Sequence, residues 1–134
     1  MVFRKSVVVL ARHLCRALCE EIIVKNIEDY IGGKLPSSYK QFLESHNERP
    51  QNDVVVLYLI DELIERNKTY ETTKYAPGYI NIGDDSGGSA FLLKLGENDP
   101  PVHVVGHGSM DPKYMELVSD SFIEWLKSGC KYDQ

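Results

Sequence analysis

No apolar run in this chain approaches the ~18 residues that carry a helix across a bilayer, so a membrane span is not expected. Internal repeats and low-complexity tracts are missing too, which leaves no sign of a solenoid or a disordered array. Cysteine is scarce: three residues, an odd number, do not form a disulfide framework. Cys15 and Cys19 stand i, i+4 in a helix-like stretch and Cys130 lies near the other end. With His13 they could be drawn as a zinc site, but Cys-x-x-Cys pairs are lacking and small buried thiols are the plainer reading. No metal and no cofactor are expected. Met1 to Ala11 imitates an export signal, with Arg4 and Lys5 ahead of Val7–Ala11. Arg12 and His13 end that apolar run after five residues, short of what a signal needs. A cytoplasmic location is the expectation.

Positive charge is in deficit, with 15 Lys and Arg against 20 Asp and Glu, a net charge of −5. The deficit is uneven. Residues 1–34 hold six basic and four acidic side chains, whereas Tyr79 to Glu124 holds two (Lys94, Lys113) against eight. Direct nucleic-acid binding is not expected, because phosphate contacts need a surplus of Lys and Arg. A basic partner suits such a surface, although a merely solvated acidic face has the same composition.

What the chain does contain is enough for one domain: 134 residues, 43% hydrophobic and 26% charged. Val7, Leu10, Leu14 and Leu18 repeat at helical spacing, and Ile27, Tyr30 and Ile31 extend an apolar face until Gly32-Gly33. Pro36 suits a first helical turn, and Leu35, Tyr39, Phe42 and Leu43 fall on one face of the helix that follows, with Asn47 at its end. Val54 to Ile60 reads as a strand. Asp61 offers an N-cap to a helix that buries Leu63 and Ile64 and runs toward Tyr70. Thr72 to Gly78 reads as irregular. Strands are expected over Tyr79–Ile82, Ala90–Leu95 and Val102–Val105, joined by the hairpin-length segments Gly83–Ser89 and Gly96–Pro101 and therefore antiparallel. Ser121 and Glu124 have capping-box spacing before Phe122, Trp125 and Leu126, and Gly129 stops that helix. The sum is an α+β fold: one domain over 1–134, with a small, mainly antiparallel sheet packed by N-terminal and C-terminal helices. Leu35, Tyr39, Phe42, Leu43, Ile82, Phe91, Phe122 and Trp125 are expected in its core, with helices against one face of the sheet.

The chemistry-bearing residues point away from catalysis. Asp85-Ser86-Gly87-Gly88 looks like a serine-protease nucleophile loop, yet the two barrels and the Asp-held histidine of those enzymes are missing. Gly87 and Gly88 read instead as backbone angles that glycine takes cheaply. His103 and His107 have helical metal spacing but lie along a strand and its exit, where four residues span about 13 Å. A small hydrolase using Asp84, Asp85 and His107 is the enzymatic alternative, and it needs those groups in near hydrogen-bond contact. In a tight turn Asp84 and Asp85 could face solvent and pair with Arg or Lys of a partner, or cap their own turn. Tyr70 and Tyr75 are interface candidates, whereas Tyr79 reads as sheet cover. The candidate partner-binding set is therefore Asp84, Asp85 and Ser86 in the turn, with Glu62, Glu65, Tyr70 and Tyr75 nearby. The Gly96–Pro101 loop leaves the opposite end of its strand and is the lesser choice.

Between about Ile27 and Ser128 the chain resembles the SUKH superfamily, which includes bacterial toxin-immunity proteins and a yeast cell-wall synthesis regulator. The residues that carry the likeness are Gly32 or Gly33, Leu35-Pro36, Tyr39 and Phe42-Leu43, then Asp61-Glu62-Leu63-Ile64-Glu65-Arg66-Asn67. Ile82-Gly83-Asp84 with Gly87-Gly88 and Ser121–Leu126 complete it. Residues 1–26 match less well and read as a divergent N-terminal helix, and Asn47-Glu48 replaces the usual Asn-Gly. The resemblance implies an α+β binding domain without a catalytic site, which binds and neutralises a protein toxin, often a nuclease, and the basic cleft of a nuclease fits the acidic bias of the charge count. A regulatory scaffold without a toxin partner is the alternative it implies.

Overall fold

The computed structural model describes residues 21–45 and 54–132. The expected helix over Val7–Leu18, the His13, Cys15 and Cys19 positions and the Asn47 helix end lie outside them. Helix α1 covers residues 21–31 and buries Val24, Ile27 and Ile31 at helical spacing. α2 is Ser37–Ser45. Pro36 sits directly before it, and its carbonyl accepts the first helical bond from the Lys40 N–H at 2.9 Å. Five strands follow the order β1-β2-β3-β4-β5 in one antiparallel sheet: β1 Val56–Leu57, β2 Tyr79–Asp84, β3 Ser89–Lys94, β4 Val102–Gly106 and β5 Glu116–Ser119. α3 (Leu63–Thr69) and α4 (Thr72–Tyr75) lie between β1 and β2, and α5 (Phe122–Lys127) follows β5. Among the described residues no helix is long and apolar enough to cross a membrane.

The α+β architecture is as the sequence predicts, and all eight expected core residues are buried in one cluster. Tyr39 meets Phe122 edge-on at 5.5 Å, and Phe91 meets Trp125 at 5.2 Å, so α2, α5 and the sheet share one aromatic seam. The buried helix residues pack against one face of the sheet, as expected, but the other face is not left bare. Phe91 and Leu93 of β3 enter that cluster, but Ala90 and Leu92, pointing the other way, are just as buried. They pack with Val105 and Met110 under Tyr70, Tyr79 and Met115.

Several element boundaries are corrected as well. The apolar run 54–60 forms a strand with β2 at Val56 and Leu57, adds one bond from the Tyr58 N–H to the Ile82 carbonyl, and then turns away. Asp61 is not the N-cap of α3; Glu62 holds that position, and its carboxylate reaches back to accept from the Leu59 N–H at 3.0 Å. Thr72–Tyr75 is a short helix rather than irregular chain. β5 went unforeseen because Glu116-Leu117-Val118-Ser119 shows no clear two-residue alternation of apolar and polar side chains.

The Gly96–Pro101 loop has structural work. Its Asn98 carbonyl accepts from the Ser38 N–H at the start of α2. Its Asp99 carboxylate accepts from the Ser121 hydroxyl and the Ile123 N–H, and the Pro100 carbonyl from the Phe122 N–H, at the start of α5. Orphan N–H groups of both helices are satisfied there. Ser121 caps α5 by accepting from the Glu124 N–H at 3.2 Å, half of the expected capping box.

Candidate functional site

The turn between β2 and β3 is built by its own aspartates. The Asp85 carboxylate is buried and accepts from the Gly87 N–H at 2.8 Å and the Ser89 N–H at 3.0 Å. Of the two alternatives read from the sequence, facing solvent or capping the turn, Asp85 takes the second, its oxygen serving the turn's own N–H groups. Asp84 is only half-buried. One of its oxygens accepts from the Ser86 N–H at 2.9 Å and the other from the Tyr58 hydroxyl at 2.8 Å, so its charge is held at the rim in one orientation. Ser86, Gly87 and Gly88 form the exposed crest. Gly88 has φ of +100°, which requires glycine, whereas Gly87 does not lie in that region, contrary to the reading that grouped the two. Ser86 itself is left-handed at φ 61°.

A helix face closes the site from the side. Glu62, Arg66 and Tyr70 are spaced i, i+4 and i+8. Arg66 lies 5.6 Å over the Tyr58 ring and 3.9 Å from the Glu62 carboxylate, which ties α3 to the Tyr58–Asp84 pair. Burial and the Asp84 carboxylate together push the Tyr58 phenol well above its ordinary range, so the hydroxyl remains a donor to Asp84. Tyr70 stacks face to face on the His107 ring at 3.7 Å, and the His107 backbone N–H donates to the Gly88 carbonyl at 2.7 Å. Burial lowers the His107 pKa, and the charges of Asp84 and Asp85 act in the opposite direction.

The candidate residues therefore divide. Asp84, Asp85, Ser86, Glu62 and Tyr70 gather at one end of the sheet around Tyr58, Arg66 and His107. Glu65 is exposed on α3 and makes no ion pair among the described residues. Tyr75 belongs to α4 and is exposed, with Lys74 over its ring at 5.1 Å. Tyr58 and Arg66 were missed. Their signal was faint: a tyrosine within an apolar strand, and an arginine four residues after a glutamate on a helix.

The geometry offers little to the hydrolase alternative. The His107 Nε2 is buried without a hydrogen-bond partner, and the two carboxylates accept hydrogen bonds from Tyr58, Ser86, Gly87 and Ser89. Among the described residues no group of three or more His, Cys, Asp or Glu side chains could hold a metal ion. Cys130 is a buried thiol whose pKa is pushed up to about 11 by that burial, which keeps it a poor nucleophile.

The SMI1 / KNR4 family (SUKH-1) matches the sequence over residues 18–128. The chain belongs to this family. A search of curated proteins returned no match. In this SUKH-1 domain the matched span takes in α1, the whole sheet and α5, and with them every candidate residue above. Membership is consistent with an immunity-type or regulatory role in protein–protein interaction.

Proposed function

We propose that this SUKH-1 chain is an immunity-type protein that binds and neutralises a protein toxin, a basic nuclease in the favoured case, in the cytoplasm and without catalysis of its own. The observation that carries the reading is Asp84. Its carboxylate is fixed at the rim by Tyr58 and Ser86 beside an exposed glycine-rich crest, in a chain of net charge −5. A nuclease must bind phosphate, so its cleft is positively charged, and an oriented carboxylate on a protruding turn is complementary to it. Charges of this kind mainly accelerate encounter, and those that become desolvated add affinity. The engagement of Asp99 in holding α5 supports choosing the turn over the Gly96–Pro101 loop.

The test is co-expression with the protein encoded beside this gene. Wild type should restore growth against that neighbour if it is toxic, and Asp84→Asn should slow association and flatten its salt dependence. A non-toxic neighbour, together with capture of a host protein, would favour the regulatory scaffold that the same family membership supports. Protection and on-rate unchanged by Asp84→Asn at low salt would refute the acidic surface.

A further inference from the structure

We propose that a groove beside the same turn receives one arginine side chain of the partner, an inference that rests on the basic partner proposed above. The groove has a volume of about 200 Å³ and is lined by Ser89, Gly106, Tyr114, Glu116 and Tyr132 with the edges of Val104 and Val105. It suits a single long side chain, since pockets for drug-sized ligands begin at about 300 Å³. Its place follows from the strand register. β3 starts at Ser89 opposite Gly106, and β5 starts at Glu116 opposite Val104, so the strand ends make the floor. Ser89 also closes the Asp85 turn, so one partner covers both features.

The chemistry of the lining selects a planar cation. Glu116 is exposed and makes no ion pair among the described residues, unlike Glu62 with Arg66 or Glu124 with Lys127. Tyr114 is a large ring left 60% exposed, and the Lys113 ammonium 5.3 Å from its centre shows that it can take a cation. Tyr132 is held edge-on against Phe91 at 5.1 Å, which fixes the opposite wall. Two tyrosines and a carboxylate supply cation–π attraction and a charge-assisted hydrogen bond together, and a guanidinium uses both better than an ammonium does. Asp84, bonded to Tyr58 and Ser86, then steers the approach, and the groove anchors what arrives.

The probe is the peptide acetyl-Gly-Arg-Gly-amide, titrated into the ¹⁵N-labelled protein, with the citrulline peptide as its neutral isostere. Saturable shifts are expected at the amides of Ser89, Gly106, Glu116 and Tyr132, with the citrulline peptide at least about threefold weaker. Glu116→Gln should weaken the arginine peptide by about threefold or more, as expected for an exposed charge pair, while the remaining spectrum is unchanged. Equal binding of the two peptides, or no effect of Glu116→Gln, would overturn the groove. Shifts confined to Asp84–Gly88 would also overturn it and leave the acidic partner surface standing. No saturable shift at either place would overturn both.

Discussion

The side-chain amide of Asn67 pairs with the backbone of Asn81 as a neighbouring strand would: its oxygen accepts from the Asn81 N–H at 2.8 Å and its nitrogen donates to the Asn81 carbonyl at 3.0 Å. β1 pairs with β2 at Asp84 and Gly83, and the Tyr58 N–H adds one bond to the Ile82 carbonyl before the chain turns away. Asn67, almost fully buried on α3, takes over where the strand stops and spares two buried backbone groups from going unpaired. Asn67→Ala would leave them so, at a cost of about 2–3 kcal/mol. Urea unfolding should show that loss, with the β2 amides exchanging faster than those of β3.

Gly83 is constrained by contact and not by φ. A Cβ there would lie 2.4 Å from the Val56 carbonyl oxygen and 3.0 Å from Leu57. Gly83→Ala must therefore push β1 off the sheet, and about 1–3 kcal/mol is the expected overpacking cost. Gly108→Ala, whose Cβ would meet nothing within 4 Å, is the control and should melt close to wild type. Equal melting of the two variants would show that β1 is free to shift.

These two contacts also mark what the sequence could disclose. Tyr39, Phe42, Phe122 and Trp125 were legible as core because helical spacing puts apolar side chains on one stripe, and β3 was legible from its unbroken apolar run. The Ile82-Gly83-Asp84 segment was legible as a motif, but its reasons lie far off in the chain: the Val56 carbonyl and the Tyr58 hydroxyl reach it across the sheet. Neither periodicity nor propensity encodes such partners. The different roles of Asp84 and Asp85 were hidden for a related cause, since adjacent identical residues are separated only by which N–H groups the folded turn presents. Arg66 and the Tyr70–His107 stack depend on how α3 sits against the sheet, and nothing local specifies that.

Acid should weaken the fold through its histidines. Burial lowers the pKa of His107, and of His103, below the ordinary histidine value, so each binds its proton more weakly folded than unfolded. Their contribution to stability is then complete above about pH 6.5 and is lost as pH falls through the lower folded values. Asp84 and Asp85 limit the effect at His107, because their charges favour its protonated form. The melting temperature should fall between pH 7.5 and pH 5. His107→Phe preserves a ring against Tyr70 without a titrating group and should show a shallower decline. A variant with the wild-type slope would remove His107 from the account and leave His103.

The two aspartates of the turn should separate when changed one at a time. Asp85→Ala removes the buried acceptor of two N–H bonds, so the Gly87 and Ser89 N–H groups lose their partner and only the Asp85 N–H to Ser89 carbonyl bond still closes the turn. A cost of about 2–3 kcal/mol is expected for bonds to a charged group. Asp84→Asn keeps an oxygen for the Ser86 N–H and offers its amide N–H to the Tyr58 oxygen, so both contacts persist without the charge and melting should stay near that of wild type. Binding should divide the other way. Asp84→Asn should slow association with a basic partner at low salt, and the difference should shrink as salt screens the charge over a Debye length of about 8 Å at physiological strength. Asp85→Ala should bind poorly at every salt concentration, because the crest that presents Asp84 is no longer held. Matching salt profiles for the two variants would mean that both act through charge, and the division of labour between fixing the turn and facing the partner would be refuted.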